Sequence, residues 1–582
     1  MGFLASSMLF TLFEDRSIFF PLIFAALGVW VINWWYSRKW DDALLRACKE
    51  SDLEGCQVVL RQRGRYKVNL EVRRPPREWT PLMYAVLQNN LAIVTALLAV
   101  GAKVEARDEE GRTPLILASQ KGFVDVAQAL LAKGADPMAK SFDGWTALIM
   151  ACYAGHVEIV HILLARCADV KWRTKQGMNA LAIAVGQHHQ PGGRMKVIKM
   201  LLSNDAKVDS RTFNGWTPLI KAAYGGHDDV LQLLLVSGAD INATSNNGFS
   251  ALIAASQNGW IDAVLLLIEK GADVNLKTSD GSTALIAASH GGYTEVVEAL
   301  LTAGADIHAV YKNNGSALMA ATVRGHKDIA FYLIDRGIDI HMLNGDGWTA
   351  LLVACDRGRL GIATRLIEMK SDVNHVSTCG WTCLMSACQN GYEDIVELLL
   401  FHGANRNACQ VDGWSPLLIA ASCGFLGIVR RLIETPGQHP ALVDGPPSPT
   451  PSSSEKKKKE HVPTPLVAAC SYGYTSIVVY LLSKGANVLA VDALNRGCMD
   501  IAMALRQRDL VAALADAGFR ATGINGARMW WYLLRGAVKD IIFPNANQNP
   551  LRHKPKNLSN HTQREHEREH EGDLGDKREK ED

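Results

Sequence analysis

The stretch Trp216-Thr217-Pro218-Leu219 has five close copies elsewhere in the chain, and together they decide the fold. The copies are Trp79-Thr80-Pro81-Leu82, Trp145-Thr146-Ala147-Leu148, Trp348-Thr349-Ala350-Leu351, Trp381-Thr382-Cys383-Leu384 and Trp414-Ser415-Pro416-Leu417. With looser copies included, the leucine recurs at 82, 115, 148, 181, 219, 252, 285, 318, 351, 384, 417 and 466, and nine of those eleven steps are 33 residues. A fixed period of this size predicts a solenoid, in which each unit buries its apolar face against its neighbours.

Each part of the repeated unit has a local structural role. Thr217 is expected to cap a helix by accepting a backbone N–H, and Pro218 fits the first helical turn, where no donor is needed. Alanine pairs such as Ala222-Ala223 allow a short helix to lie close to its neighbours. A second apolar helix follows, and glycines are expected at its left-handed C-cap. These glycines are Gly238, Gly271, Gly304, Gly403 and Gly485.

The pattern resembles the ankyrin repeat. The resemblance covers roughly residues 40–519, with about twelve repeats between degenerate caps. It implies an all-α repeat solenoid in which each unit is a pair of antiparallel helices with a short β-hairpin finger. One departure is systematic, because the family's histidine after Thr-Pro-Leu is replaced by apolar residues such as Ile220 and Leu352. Apolar packing is therefore expected where the family has an interhelical hydrogen bond.

Composition and cysteine spacing restrict the chemistry. The 582 residues are 48% hydrophobic with a formal net charge of +2, which gives no reason to expect specific binding of nucleic acid. Twelve cysteines contain no CxxC pair, and Cys152, Cys355 and Cys388 occupy one slot in different repeats. A repeated small apolar residue indicates packing, so buried reduced thiols are favoured over a disulfide or metal role.

No motif for catalysis is found in the repeats. His566-Glu567-Arg568-Glu569-His570 matches H-E-x-x-H, but it stands in a charged tail without the buried helix that zinc catalysis needs. We therefore predict no enzyme, cofactor, bound metal or small-molecule substrate. An enzyme would require chemistry within residues 520–582.

The N-terminal region predicts a membrane anchor. Ile18–Tyr36 carries no charge, is just long enough to span a bilayer, and ends in aromatic residues. Arg38, Lys39, Arg46 and Lys49 follow, which places residues 1–17 outside the cytosol and the repeats inside it. The expected location is a single-pass protein of the endoplasmic reticulum or another endomembrane, with the mitochondrial outer membrane as an alternative. Alternatively, this segment is a cleaved signal peptide or a helix that packs within a soluble protein.

Insertions and the C-terminal region depart from the period. Residues 187–193 add five residues between the helices of the fourth copy, and residues 435–462 are predicted to form a disordered insertion. This insertion holds Ser448 and Thr450 as candidate phosphorylation sites, and a lysine run, Lys456–Lys459. Residues 525–543 predict a basic amphipathic helix that either covers the end of the solenoid or lies on a membrane or partner. Residues 544–582 read as a disordered charged tail.

The residue before each capping Thr or Ser lies on the surface by which the family contacts partners. The consecutive tryptophans Trp348, Trp381 and Trp414 should form a ladder with steps of roughly 10 Å. Tryptophan is enriched in binding hot spots, although these rings could instead hold neighbouring repeats together. The candidate partner-binding residues are Trp79, Trp145, Trp216, Trp348, Trp381, Trp414, Tyr153, Tyr224, Arg324, Asp356 and Arg357.

The sequence therefore favours a membrane-anchored, cytosol-facing scaffold or adaptor that binds cytosolic proteins along its concave surface. A soluble adaptor acting in the nucleus or in a ubiquitin-ligase complex is the alternative.

Overall fold

The computed structural model describes residues 35–74, 78–186, 191–410, 412–436, 442–445, 462–492, 494 and 496–517. Most of the predicted anchor (residues 18–34), Ser448, Thr450, the 525–543 helix and the 544–582 tail lie outside these residues. Within the described ranges, no helix has the length and apolar character needed to cross a membrane.

The chain divides into two compact units, Met1–Lys312 (unit 1) and Asn313–Asp582 (unit 2). Unit 1 begins with helical residues 35–49 and the helices Leu53–Arg61 and Arg63–Tyr66. The first helices of its seven repeats are Pro81–Leu87, Pro114–Lys121, Ala147–Ala154, Ala180–Gly186, Pro218–Tyr224, Ala251–Asn258 and Ala284–Gly291. The second helices are Leu91–Ala99, Val124–Ala132, Val157–Ala165, Pro191–Ser203, Asp228–Val236, Ile261–Glu269 and Thr294–Thr302.

Within its described residues, unit 2 contains the same helix pair six times. Its first helices are Ala317–Arg324, Ala350–Asp356, Cys383–Asn390, Pro416–Cys423, Pro465–Tyr472 and Cys498–Ala504. Its second helices are Lys327–Asp335, Leu360–Glu368, Glu393–Phe401, Leu426–Glu434, Thr475–Ser483 and Arg508–Asp516. Two short strands, Val310–Tyr311 and Gly315–Ser316, and the 3-10 turn Lys312–Asn314 lie around the boundary. The predicted all-helical repeat fold is confirmed.

The predicted N-caps set the start of every first helix in the twelve leucine repeats. The side chain of each cap accepts the backbone N–H three residues on, at 2.9–3.4 Å. Thr217 Oγ1 accepts from Ile220 N at 3.3 Å, and Asn179 takes the role in the fourth copy at 2.9 Å. Most of these caps are buried, so each satisfies a donor that water could not reach.

The core of each unit is a column of leucine and alanine between consecutive helix pairs. Leu219 and Ile220 are 1% and 0% exposed, and Ala222 and Ala223 are fully buried. The residue that replaces the family's histidine is buried here, as Ile220 shows, so it packs rather than bonding a polar partner. This confirms the apolar packing expected from the sequence.

A left-handed residue ends most second helices as predicted. Gly238 and Gly403 have φ of +87° and +81°. Three copies place a residue with a side chain in this slot, namely Cys167, Asp205 and Lys370, with φ of +57°, +61° and +67°. A side chain in this conformation is strained, so these three turns are weaker points of the stack.

The fingers are joined by regular backbone bonds within each unit. In unit 1, Asn246 N donates to Asn214 O at 3.1 Å and Ser279 N donates to Asn247 O at 2.8 Å. In unit 2, Thr378 N donates to Asp346 O at 3.2 Å. Each finger therefore fixes the position of the next one.

Some residues of both insertions form part of a repeat helix or bond to the repeats. Residues 191–193 form the first turn of the helix Pro191–Ser203, which has 13 residues where the other second helices of unit 1 have nine. Within 435–462, Leu442 N donates to Asn407 Oδ1 at 3.1 Å, and Asp444 Oδ1 accepts from Asn487 N at 2.7 Å. At residues 442–445 the predicted insertion contacts the repeats on either side. These residues keep the polar bonds that link successive repeats, and proline and lysine content elsewhere in the segment hid them.

Candidate partner-binding surfaces

All six tryptophans of the repeated phrase stand at the base of a finger and are half-buried. The backbone places them in the same way, as at Trp145, whose N–H donates to Ser141 Oγ at 3.1 Å and whose carbonyl accepts from Ser141 N at 2.9 Å. Trp381 bonds Ser377 in the same way, at 3.0 and 2.9 Å. The backbone of the repeat therefore fixes the position of each tryptophan, and the neighbouring side chains determine what its ring contacts.

In unit 1 each of these tryptophans contacts another aromatic ring. Trp145 meets Tyr153 edge to face with centroids 5.5 Å apart. Trp216 meets Tyr224 in the same geometry at 5.4 Å. Trp216 also stacks on Phe249 of the next repeat at 6.4 Å, with the ring planes 18° apart. Such pairs stabilise beyond the area they bury, so Trp216 joins two repeats.

Trp79 shows a variant of this arrangement, because its ring meets Tyr84 at 5.4 Å. Tyr84 is five residues after Trp79, whereas Tyr153 and Tyr224 follow their tryptophans by eight. Trp79 therefore keeps a contact with a tyrosine ring, although that tyrosine lies at a different distance along the sequence.

In unit 2 the surroundings of the tryptophans are polar. Trp381 donates from Nε1 to Ser386 Oγ at 2.7 Å, and this serine is fully buried. Within the described residues, no aromatic ring pair includes Trp348 or Trp414. Eight residues after each tryptophan of unit 2, Asp356, Gln389 and Ser422 replace the tyrosines of unit 1. We call the surface around Trp348, Trp381, Trp414, Asp356 and Arg357 the tryptophan ladder.

Asp356 is the acidic residue of the ladder. Its Oδ2 lies 3.4 Å from Arg357 Nε, and its Oδ1 accepts from Asn390 Nδ2 at 3.3 Å. Burial raises the pKa of Asp356, and the Arg357 charge and the Asn390 hydrogen bond offset part of that rise. Arg324 stands at the end of the preceding repeat's first helix, where its carbonyl accepts from Arg359 at 3.1 Å. The candidate polar residues of unit 2 are therefore close to the helix ends predicted for them.

Contacts between glycines and rings, which the repeated phrase does not predict, hold consecutive repeats together in both units. The ring of His156 covers Gly122, and its Nε2 lies 3.2 Å from Gln120 O. In unit 2, Phe425 covers Gly391 in the same way. A Cβ at either glycine would lie 2.6–2.7 Å from the ring. A bulky residue near the start of the second helix in most repeats is the signal that could have revealed this contact.

The described residues show no group suited to hold a metal ion, and all twelve cysteines are free thiols. Burial raises the pKa of Cys152 and of Cys388, so both favour the protonated form. Cys355 and Cys383 share a hydrogen bond that, with burial, raises the pKa of Cys355 further.

Comparison with known proteins agrees with this architecture. A family model described as ankyrin repeats in three copies matches residues 44–141, 138–212, 190–278, 219–311, 284–377, 325–408 and 351–444, and an ankyrin-repeat model matches 464–493. The solved ankyrin repeat domain of human ASB11 is 29% identical, with 35% of this chain and 92% of that chain covered and a TM-score of 0.33. The ankyrin repeat domain of Bcl-3, a member of the IkappaB protein family, is 32% identical, with 38% and 98% covered and a TM-score of 0.34. No curated protein matches the chain.

Proposed function

Because the chain belongs to the ankyrin-repeat family, whose members are typically interaction scaffolds, we propose that it holds cytosolic proteins on the tryptophan ladder while anchored in a membrane. This proposal rests mainly on the surroundings of the Trp348 and Trp414 side chains. Both rings are half-buried, and no aromatic side chain of the described residues pairs with them. The function is binding rather than catalysis.

The ladder has the features of a protein-binding surface. Tryptophan offers a large rigid area, and interfaces gain most of their affinity from a few such residues near their centre. Asp356 and Arg357, which form an ion pair eight and nine residues after Trp348, supply hydrogen-bonding groups that fix the orientation of a partner. Burial of the remaining ring surface by a partner is favourable at about 25 cal/mol per Å².

The anchor is proposed on the sequence of Ile18–Tyr36 and on the helix that follows it. Trp35 and Tyr36 are 54% and 39% exposed at the start of helical residues 35–49. Lys39 Nζ lies 5.5 Å from the centre of the Trp35 ring. Exposed aromatic rings next to a cation are typical of the interface between a membrane and the cytosol.

The binding proposal is tested by proximity labelling from the full chain. The triple variant Trp348→Ala, Trp381→Ala, Trp414→Ala should lose the proteins that the unchanged chain labels. A matched triple variant on the second helices, Lys327→Ala, Thr364→Ala, Glu397→Ala, should keep them. An unchanged set of labelled proteins in the ladder variant contradicts the proposal, provided circular dichroism shows that the variant is folded.

The anchor is tested separately by carbonate extraction of cell membranes. The unchanged chain should stay in the membrane pellet. The variant Leu22→Asp, Ala26→Asp, Val29→Asp should be released, because each charge costs about 2.5–3.5 kcal/mol at the centre of a membrane helix. Release of the unchanged chain would reject the anchor and favour the soluble adaptor.

A further inference from the structure

One residue in unit 1 breaks the pattern of the repeats. The slot two residues after the repeat leucine is apolar, small or aromatic in every copy except the fifth, where it is Lys221. The slot holds Tyr84, Leu117, Met150, Ile183, Lys221, Ala254, Ala287, Ala320, Val353, Ser386, Ile419 and Ala468. A charged side chain at a position that is otherwise apolar, small or aromatic is unfavourable for folding. Natural proteins keep such residues mainly at functional sites.

Lys221 has no anionic partner within the described part of the chain. Its Nζ lies 3.3 Å from Met178 Sδ of the preceding repeat, and a thioether sulfur is a weak acceptor. The ammonium also lies near Gly186, where a Cβ would be 3.8 Å from Nζ. Burial lowers the pKa of Lys221, with no neighbouring charge to offset it.

The preceding repeat has no aromatic ring at the two positions nearest this ammonium. Met178 stands where Trp145 and Trp216 stand in the repeats on either side, and Gly186 stands where they have Tyr153 and Tyr224. The repeat that Lys221 reaches back to therefore lacks an aromatic pair. In the order of the repeats, this position lies between the pairs Trp145–Tyr153 and Trp216–Tyr224, whose ring centroids are 5.5 and 5.4 Å apart. We call this place, formed by Lys221, Met178 and Gly186, the lysine notch.

We propose that the lysine notch binds an aspartate or glutamate side chain of a partner protein. The inference rests on the proposed function only in that the chain binds proteins, and it uses a surface separate from the ladder. A carboxylate would neutralise a cation that its partly buried surroundings leave without a counter-charge. A single lysine suits a carboxylate, whereas phosphate groups on proteins are held mostly by clusters of arginine.

The test uses two matched pools of short peptides that differ only in carrying glutamate or glutamine at one central position between apolar residues. The full chain should retain the glutamate pool about tenfold more than the glutamine pool, as expected for a charge-assisted hydrogen bond. Lys221→Met keeps the length of the side chain and removes the charge, so it should reduce that ratio to about one. Lys207→Met, at an exposed lysine of the same unit, should leave the ratio unchanged.

A second measurement separates binding from folding. The glutamate pool should protect the Lys221 amine from acylation, as read by mass spectrometry of the unchanged chain. Equal retention of the two pools, or a preference for glutamate that survives Lys221→Met, would overturn the proposal. The ladder variant should keep the glutamate preference, so failure of the ladder and failure of the notch give different results.

Discussion

Trp216 of unit 1 and Trp348 of unit 2 come from the same phrase and differ in what surrounds them. Trp216 contacts Tyr224 and stacks on Phe249 of the next repeat. Trp348 is followed eight residues later by Asp356, and no ring pair in the described residues includes it. The phrase therefore fixes where a tryptophan stands, while the residue at the far end of the helix that follows it determines whether its ring pairs with another ring of the chain.

The largest expected effect is the difference between Trp216→Ala and Trp348→Ala. Loss of Trp216 removes two ring contacts and should destabilise its repeats by about 2–3 kcal/mol, somewhat below the cost for a fully buried tryptophan. Loss of Trp348 should cost less than about 1 kcal/mol, because fewer contacts are lost. Hydrogen exchange of the flanking helices measures both costs locally, as a repeat protein requires. Equal acceleration of exchange in the two variants would remove the distinction between the units.

The contact between glycine and ring should, by contrast, be equally costly in both units. Gly122→Ala and Gly391→Ala each place a Cβ against a ring at a residue with φ near +80°. Each should destabilise its repeats by about 2 kcal/mol, through left-handed strain and displacement of the ring. Local hydrogen exchange again provides the measurement, and Gly238→Ala, where a Cβ would meet no atom within 4 Å, isolates the backbone strain. A large difference between Gly122→Ala and Gly391→Ala would mean that the units differ in more than their tryptophans.

Trp381 is intermediate between the two cases, because it is tied to its own repeat by one hydrogen bond. Trp381→Phe keeps an aromatic ring and removes the donor to Ser386, which leaves a buried hydroxyl without this partner. We expect a loss of about 1 kcal/mol. The double variant Trp381→Phe, Ser386→Ala should recover part of it, as measured by denaturation in urea. An additive loss in the double variant would show that the bond contributes nothing.

The smallest expected effect concerns the pH dependence at Asp356. Because burial raises its pKa in the folded state, stability linked to this group is fully present below the ordinary carboxyl pKa of about 4 and falls as pH rises through the raised value. Asp356→Asn should therefore unfold at a slightly higher temperature than the unchanged chain at neutral pH, with the gap closing in acid. Thermal melts across this range provide the measurement, with the exposed Asp412→Asn as control. A difference in unfolding temperature that widens in acid would contradict this expectation.

The period and the caps could be predicted from the sequence because they depend on local chemistry. A threonine or serine before an apolar helix has one favourable role, and Thr217 and Ser250 both fill it. The partners of each tryptophan could not be predicted, because they depend on side chains from other helices and other repeats, as with Phe249 beside Trp216. The turn at 442–445 was missed for the opposite reason, since local composition concealed bonds made to residues 35 and 43 positions away.

Site-specific photo-crosslinking tests the difference between the two tryptophan environments most directly. A benzophenone amino acid would replace Trp348, Trp414, Trp145 or Trp216, one at a time, in the full chain inside cells. We expect crosslinks to other proteins from positions 348 and 414, and crosslinks within the chain alone from positions 145 and 216. Equal crosslinking to other proteins from all four positions, or none from 348 and 414, would contradict it.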